Sequence, residues 1–120
     1  MKHVLSDIKD ALQVLGTMVA SANPDSMAIR QRFLEVQQLF QIQFLPLLEA
    51  LSASSQAQVQ PIVTEMNRTL RLLGMDVTFL QAARQSLTQQ KRQRQMGDRI
   101  HLMLTYIQTL QQYSMDSPEL

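Results

Sequence analysis

The first twenty residues carry apolar side chains at the spacing of an amphipathic helix. These residues recur at intervals of three and four: Val4, Ile8, Leu12, Leu15 and Val19. Such a period turns one apolar stripe toward a core. The helix is expected to end in residues 21–24, because Pro24 disfavours helical geometry for Asn23 and has no N–H for a continuing helix.

A second helix is predicted to start near Asp25 or Ser26. Its apolar stripe consists of Ile29, Phe33, Val36, Phe40, Phe44, Leu47 and Leu51. Residues 39–51 are apolar nearly all round, so this part of the helix is either deeply buried or covered by a partner. Pro46 removes one backbone donor and crowds the carbonyl of Ile42, which predicts a kink or a break.

A third helix follows after residues 52–58, which have no apolar stripe and are interpreted as the loop that reverses the chain, with some helical turn possible. Pro61 fits the first turn of this helix. The stripe then runs through Ile62, Met66, Leu70, Leu73, Val77 and Leu80. Gly74 costs about 1 kcal/mol relative to Ala in a helix. It indicates the close approach of a neighbouring helix or, alternatively, a functional hinge.

Two starts are open for the fourth helix. Residues 82–88 carry the next reversal, and Thr88 is a suitable N-cap for a long helix that includes the polar run 89–95. Alternatively, Asp98 caps a shorter helix that begins near Arg99, and the polar run is a loop. In both cases the apolar stripe runs through Met96, Ile100, Met103 or Leu104, Ile107 and Leu110.

Four striped helices with short connections predict an all-α fold, an antiparallel up-down-up-down four-helix bundle with a Pro46 kink or break in helix two. The 120 residues form one domain, 1–120, with a frayed tail from about residue 114. Leu and Gln each occur eighteen times, whereas Gly occurs three times, a composition that favours helix over sheet.

Composition excludes several functional classes. Without cysteine there is no disulfide scaffold, thiolate metal site or cysteine nucleophile. His3 and His101 have no second ligand at metal-binding spacing, and no phosphate loop or nucleophile elbow occurs, so we expect no enzyme, no metal and no cofactor. The N-terminus lacks a secretory pattern and no stretch is long enough to span a membrane, which favours a cytoplasmic protein.

Charge is unevenly distributed although the formal net charge is only +1. Five cations against Asp98 give a local +4 near the third reversal: Arg84, Lys91, Arg92, Arg94 and Arg99. This run is either a solvated helix face or a docking patch for an acidic partner. For nucleic acid, interleaved aromatic residues would be expected, and the nearest, Phe79, is predicted to be core. Asp76 is interpreted as a solvated or salt-bridged residue.

The run LRLLGMDVTFLQAARQ at residues 70–85 resembles the central stretch of the PatD family, the heterocyst frequency control proteins of filamentous cyanobacteria. Residues 38–40 and 45–47 and the stripe that ends at Tyr113 support the resemblance. The resemblance implies a non-enzymatic regulator that binds the tubulin-like division protein FtsZ, alters filament assembly, and links cell division to heterocyst differentiation.

No binding motif comes with this resemblance, so the partner surface is inferred from the charges. We expect a polar surface at one end of the bundle, formed by Arg71, Asp76, Arg84, Gln85, Lys91, Arg92 and Arg94. Two alternatives use the 84–99 patch instead: a nucleic-acid-binding bundle and a generic helical adaptor. Residues 39–51 offer a face for a homodimer.

Overall fold

All regular secondary structure in the described residues is helical. A computed structural model describes residues 1–116, and among these there is no strand. The helices are α1 (Lys2–Val19), α2 (Ser26–Gln38), α3 (Leu45–Glu49), α4 (Ala53–Ala82) and α5 (Ser86–Asp116), with a π-helical segment (Leu39–Phe44) between α2 and α3. Because α2, the π-helical segment and α3 follow without interruption, the molecule has four rods.

The four rods pack side by side around one core. α1 contacts α2, α2 contacts α4, α4 contacts α5, and α5 returns to α1. The bundle measures 49 × 21 × 21 Å, and the 30 residues of α4 at about 1.5 Å each span nearly its whole length. The predicted stripe of α1 is confirmed, because Ile8, Leu12 and Leu15 are fully buried. No helix in residues 1–116 is long and apolar enough to cross a membrane.

The start of α2 agrees with the sequence. Asp25 is the N-cap, and the backbone N–H of Ala28 donates to its Oδ1 at 3.1 Å. The carboxylate thus binds one of the four amide groups that a helix start leaves without an internal partner.

The start of α4 corrects the predicted loop at residues 52–58. Ser52 is the N-cap, its hydroxyl accepts from the Ser55 backbone N–H at 3.2 Å, and Pro61 lies inside the helix. The buried side of these first turns is formed by Ser55 and Val59, one turn apart. The apolar pattern did not reveal this turn because the small Ser55 occupies a core position that hydrophobicity alone does not mark.

The region around Pro46 contains the π-helical segment. Pro46 falls at the first turn of α3, where its missing N–H costs least. In a π-helix each amide donates one residue farther back than in an α-helix, so the backbone is wider just before the proline. Phe40 and Phe44 stack at 5.5 Å between ring centroids and are buried. Ile42 is 69% exposed, so residues 39–51 are covered by their own chain on one side only.

The long form of the fourth helix is the one observed. α5 begins at Ser86, and the reversal expected at residues 82–88 shortens to 83–85. The Gln89 side chain donates to the carbonyl of Ala83 at 3.2 Å and thereby holds the end of α4 against the start of α5. The tail was expected to fray from about residue 114, but the helix continues through residue 116 and Ser114 is buried. The rest of that tail, 117–120, lies outside the described residues.

Gly74 marks the close approach of a neighbouring helix, as predicted. A Cβ at this position would lie 2.9 Å from Cζ of Phe33 on α2, which is closer than real Cβ contacts allow. The glycine therefore lets the Phe33 ring lie against the α4 backbone.

Candidate interaction surface

A buried carboxylate joins α4 to α5. Asp76 is 1% exposed, and its two oxygens accept hydrogen bonds from Nη1 of Arg92 at 3.4 Å and from Nη1 of Arg99. Arg99 also donates to the carbonyl of Leu72 at 3.1 Å. The two arginines are seven residues apart, so they lie on one face of α5. We call Asp76, Arg92 and Arg99 the ion cluster. The two arginines supply the charge and hydrogen-bond partners that a buried carboxylate needs.

Phe79 extends the ion cluster toward solvent. The guanidinium carbon of Arg92 lies 4.5 Å from the centre of the Phe79 ring, a cation–π geometry, and Arg92 also donates to Gln95 at 3.1 Å. Phe79 is 45% exposed, so the prediction that it is a core residue is wrong. Its ring lies at the edge of the α4–α5 contact, where the Arg92 side chain covers one face.

A second set of cations is exposed at the start of α5 and in the connection before it. Arg84 and Gln85 lie in the short connection before α5, and both are exposed. Leu87, Lys91 and Arg94 follow at intervals of four and three, so they share one outer side of α5. Leu87 is 79% exposed, the largest exposed fraction among the bulky apolar residues of the described chain. We call Arg84, Leu87, Lys91 and Arg94 the outward group.

The residues predicted to form one surface are divided between three places. Asp76 and Arg92 meet in the ion cluster, whereas Arg84, Gln85, Lys91 and Arg94 lie in or beside the outward group. Arg71 is on another side of α4, where it lines a groove with Gln37, Gln41, Asn67 and Leu70.

Sequence reasoning missed two positions. Arg99 was counted in the local charge but not as a partner of Asp76, although its seven-residue spacing from Arg92 was a usable indication. Gln93 was read only as part of a polar run, yet its side-chain N–H groups donate to the carbonyls of Val19 at 2.8 Å and Ser21 at 2.9 Å. It therefore caps the end of α1 from α5, and no local pattern reveals such a contact.

These groups together carry a surplus of positive charge. The ion cluster has two cations for one carboxylate, and the outward group adds three cations beside an exposed leucine. Within residues 1–115, no acidic side chain forms a salt bridge with Arg84, Lys91 or Arg94. The same part of the chain contains no group of three His, Cys, Asp or Glu residues placed to hold a metal ion.

Fold and surface together define a four-rod helical bundle with a basic, partly apolar end. The chain belongs to the CRR41 C-terminal domain family, whose sequence model matches residues 5–104. That match runs from α1 into the middle of α5 and includes both the ion cluster and the outward group. No curated protein and no solved structure matches the chain.

Proposed function

We propose that this chain is a non-enzymatic, cytoplasmic regulatory protein that binds FtsZ and modulates its filament assembly, thereby linking cell division to heterocyst differentiation. The identity of the partner rests on the resemblance of residues 70–85 to the PatD family. The observation that carries a binding function is the outward group, in which three exposed cations, none with a salt-bridge partner in residues 1–115, lie in the same short segment as an exposed leucine.

The physical support comes from how such a surface finds and holds a partner. Exposed cations steer an acidic surface into contact and fix its orientation. Leu87 adds an apolar contact whose burial favours association, at about 25 cal/mol per Å². A repeated acidic surface on a filament presents many equivalent sites, so a small basic surface binds there without a high net charge.

We further propose the finer arrangement of the bundle, antiparallel up-down-up-down with a kink or break at Pro46. Three contacts support the antiparallel order. Gln93 near the start of α5 bonds the end of α1, Asp76 near the end of α4 bonds Arg92 near the start of α5, and Gly74 late in α4 meets Phe33 early in α2. In this arrangement the outward group occupies one end of the rod.

Co-sedimentation with polymerising FtsZ tests the function. The wild-type chain is expected to pellet with polymers, and Arg84→Glu/Lys91→Glu/Arg94→Glu is expected to stay in the supernatant, because each glutamate repels an acidic partner. Lys2→Glu/Lys9→Glu/Arg30→Glu is the matched control, with the same change in charge at exposed positions on α1 and α2, and it should pellet like wild type.

Two results would count against the proposal in different ways. Wild-type chain that remains in the supernatant at every FtsZ concentration rules out FtsZ as the partner. Equal pelleting of the outward variant and the control instead rules out the outward group as the contact surface.

A nucleic-acid-binding function is the second candidate, and one observation favours it. Phe79 is an exposed aromatic ring beside Arg92, whereas no such platform was expected. This function predicts binding of single-stranded DNA or RNA that weakens steeply with salt. The absence of any mobility shift at low salt would remove this candidate.

A further inference from the structure

One side of the bundle is acidic. We call the groove between α1 and α2 the acidic face; it is lined among others by Asp7, Asp10, Val14, Arg32 and Glu35. Arg32 pairs with Glu35 at 3.0 Å, so three carboxylates against one cation leave a formal charge of −2. Val14 is 41% exposed and gives this groove an apolar element.

The α4–α5 side is basic. We call it the basic face; it carries four cations and three carboxylates, for a formal charge of +1, namely Arg68, Lys91, Arg92, Arg99, Glu65, Asp76 and Asp98. Met75 and Phe79 lie between them, one turn apart on α4, and Met75 is 49% exposed. Arg68 precedes Met75 by seven residues and so lies on the same side of the helix.

The arginines of the basic face retain donors for an outside carboxylate. Within residues 1–116, every hydrogen bond of the Arg92 and Arg99 guanidinium groups comes from Nη1. A guanidinium group has five N–H donors, and these two side chains are 32% and 25% exposed. Their remaining N–H groups are already held in position, because Asp76 fixes the side chains from within.

We propose that this chain associates with further copies of itself, with the acidic face of one copy against the basic face of the next. The formal charges of −2 and +1 are opposite in sign, and both faces carry exposed apolar side chains. The net charge of +1 gives little overall repulsion between copies. One side of the 49 × 21 Å rod offers about 1,000 Å², and standard interfaces bury about 800 Å² per partner.

The order of the helices makes this contact heterologous, which means that it joins two different sides of the bundle. Since the rods contact one another in the ring α1, α2, α4, α5, the α1–α2 side and the α4–α5 side lie opposite each other. A contact between two different patches on opposite sides adds copies in a row rather than closing a symmetric dimer.

Sedimentation velocity with charge-reversed variants tests the proposal. Asp7→Lys/Asp10→Lys makes both faces basic, and Arg68→Glu/Lys91→Glu makes both faces acidic. Wild type is expected to show concentration-dependent association at about 0.01 M ionic strength, where the Debye length is about 30 Å, and to lose it at about 1 M, where it is about 3 Å. For each variant alone, the dissociation constant should rise at least about tenfold, since like charges then oppose each other.

An equimolar mixture of the two variants is the decisive sample. In the mixture each basic side meets an acidic side, so association should return to near the wild-type level. Arg30→Glu/Arg71→Glu, which changes charge by the same amount but at positions outside both faces, should associate like wild type. A monomeric wild type at low salt, variants that associate unchanged, or a mixture that stays monomeric would each overturn the proposal.

The test of self-association does not depend on FtsZ binding. Asp7→Lys/Asp10→Lys leaves the outward group intact, so it should still pellet with FtsZ polymers while it fails to associate with itself. Loss of association with normal pelleting therefore supports the inference, whereas a wild-type chain that associates but never pellets contradicts only the proposed function.

Discussion

Two sets of cations lie side by side at the α4–α5 end, and they differ in what surrounds them. Arg92 and Arg99 turn inward to one buried carboxylate, a backbone carbonyl and an aromatic ring. Arg84, Lys91 and Arg94 are exposed, and no acidic side chain in residues 1–115 forms a salt bridge with them. Neighbouring residues in one basic run therefore differ in their surroundings: the inward pair joins two helices, and the outward group is in contact with solvent.

Replacement of Asp76, the carboxylate that the inward pair shares, should lower the stability most. Asp76→Ala leaves two partly buried arginines without their anion, which we expect to lower the free energy of unfolding by about 3 kcal/mol. Urea denaturation followed by circular dichroism measures this value. A loss below about 0.5 kcal/mol would mean that the inward cluster contributes no more than a surface ion pair.

Replacement of the whole ion cluster tests whether unpaired charge causes this loss of stability. Asp76→Leu/Arg92→Met/Arg99→Met removes all three charges and fills the space with apolar side chains, so its stability should return to within about 1 kcal/mol of wild type. A triple variant that is as unstable as Asp76→Ala would show that the cost lies in packing at position 76 and not in unpaired charge.

The loss of stability on replacing each arginine should follow the contacts that the arginine makes. Arg99→Met removes the closer partner of Asp76, and we expect it to cost about 2 kcal/mol; Arg92→Met removes a 3.4 Å contact and should cost about 1 kcal/mol. Chemical denaturation of both variants under one set of conditions gives the order. The reverse order would place the main anchor of Asp76 at Arg92.

Phe79 should contribute through its cation–π contact. Phe79→Leu keeps apolar volume but removes the ring face, and we expect a loss of about 0.5–1 kcal/mol, the range for partly exposed pairs. A double-mutant cycle with Arg92→Met isolates this contribution, and a coupling energy near zero would mean that the 4.5 Å geometry contributes nothing.

The outward cations should have the smallest effect on stability. Arg84→Gln/Lys91→Gln/Arg94→Gln changes exposed residues without acidic partners in the described chain, so the free energy of unfolding should stay within about 0.5 kcal/mol of wild type. A larger loss would mean that these residues stabilise the fold, so the outward cations and the inward pair would not differ in this respect.

Much of the fold could be predicted because a long helix repeats the same apolar spacing over several turns. The apolar stripe of α1 and the Asp25 cap follow from local spacing, and Gly74 indicated the close approach that Phe33 makes. The first turns of α4 could not be predicted in this way. They depend on the Ser52 cap and on a small polar residue, Ser55, at a buried position, and hydrophobic periodicity detects neither.

The ion cluster shows a different limit. Arg71 and Arg84 are close to Asp76 in sequence, but its partners are 16 and 23 residues away on the next helix. To find them requires the relative register of α4 and α5, which a single sequence does not contain. Gln93 is a similar case, because its partners on α1 are more than 70 residues away.

The central claim is that the outward cations, and not the inward pair, bind the partner. The most direct measurement is the affinity for FtsZ polymers of two variants, Arg84→Gln/Lys91→Gln/Arg94→Gln and Asp76→Leu/Arg92→Met/Arg99→Met. We predict that the first loses at least about tenfold in affinity and the second binds within about twofold of wild type. Normal binding by the first variant together with a loss in the second would contradict the account.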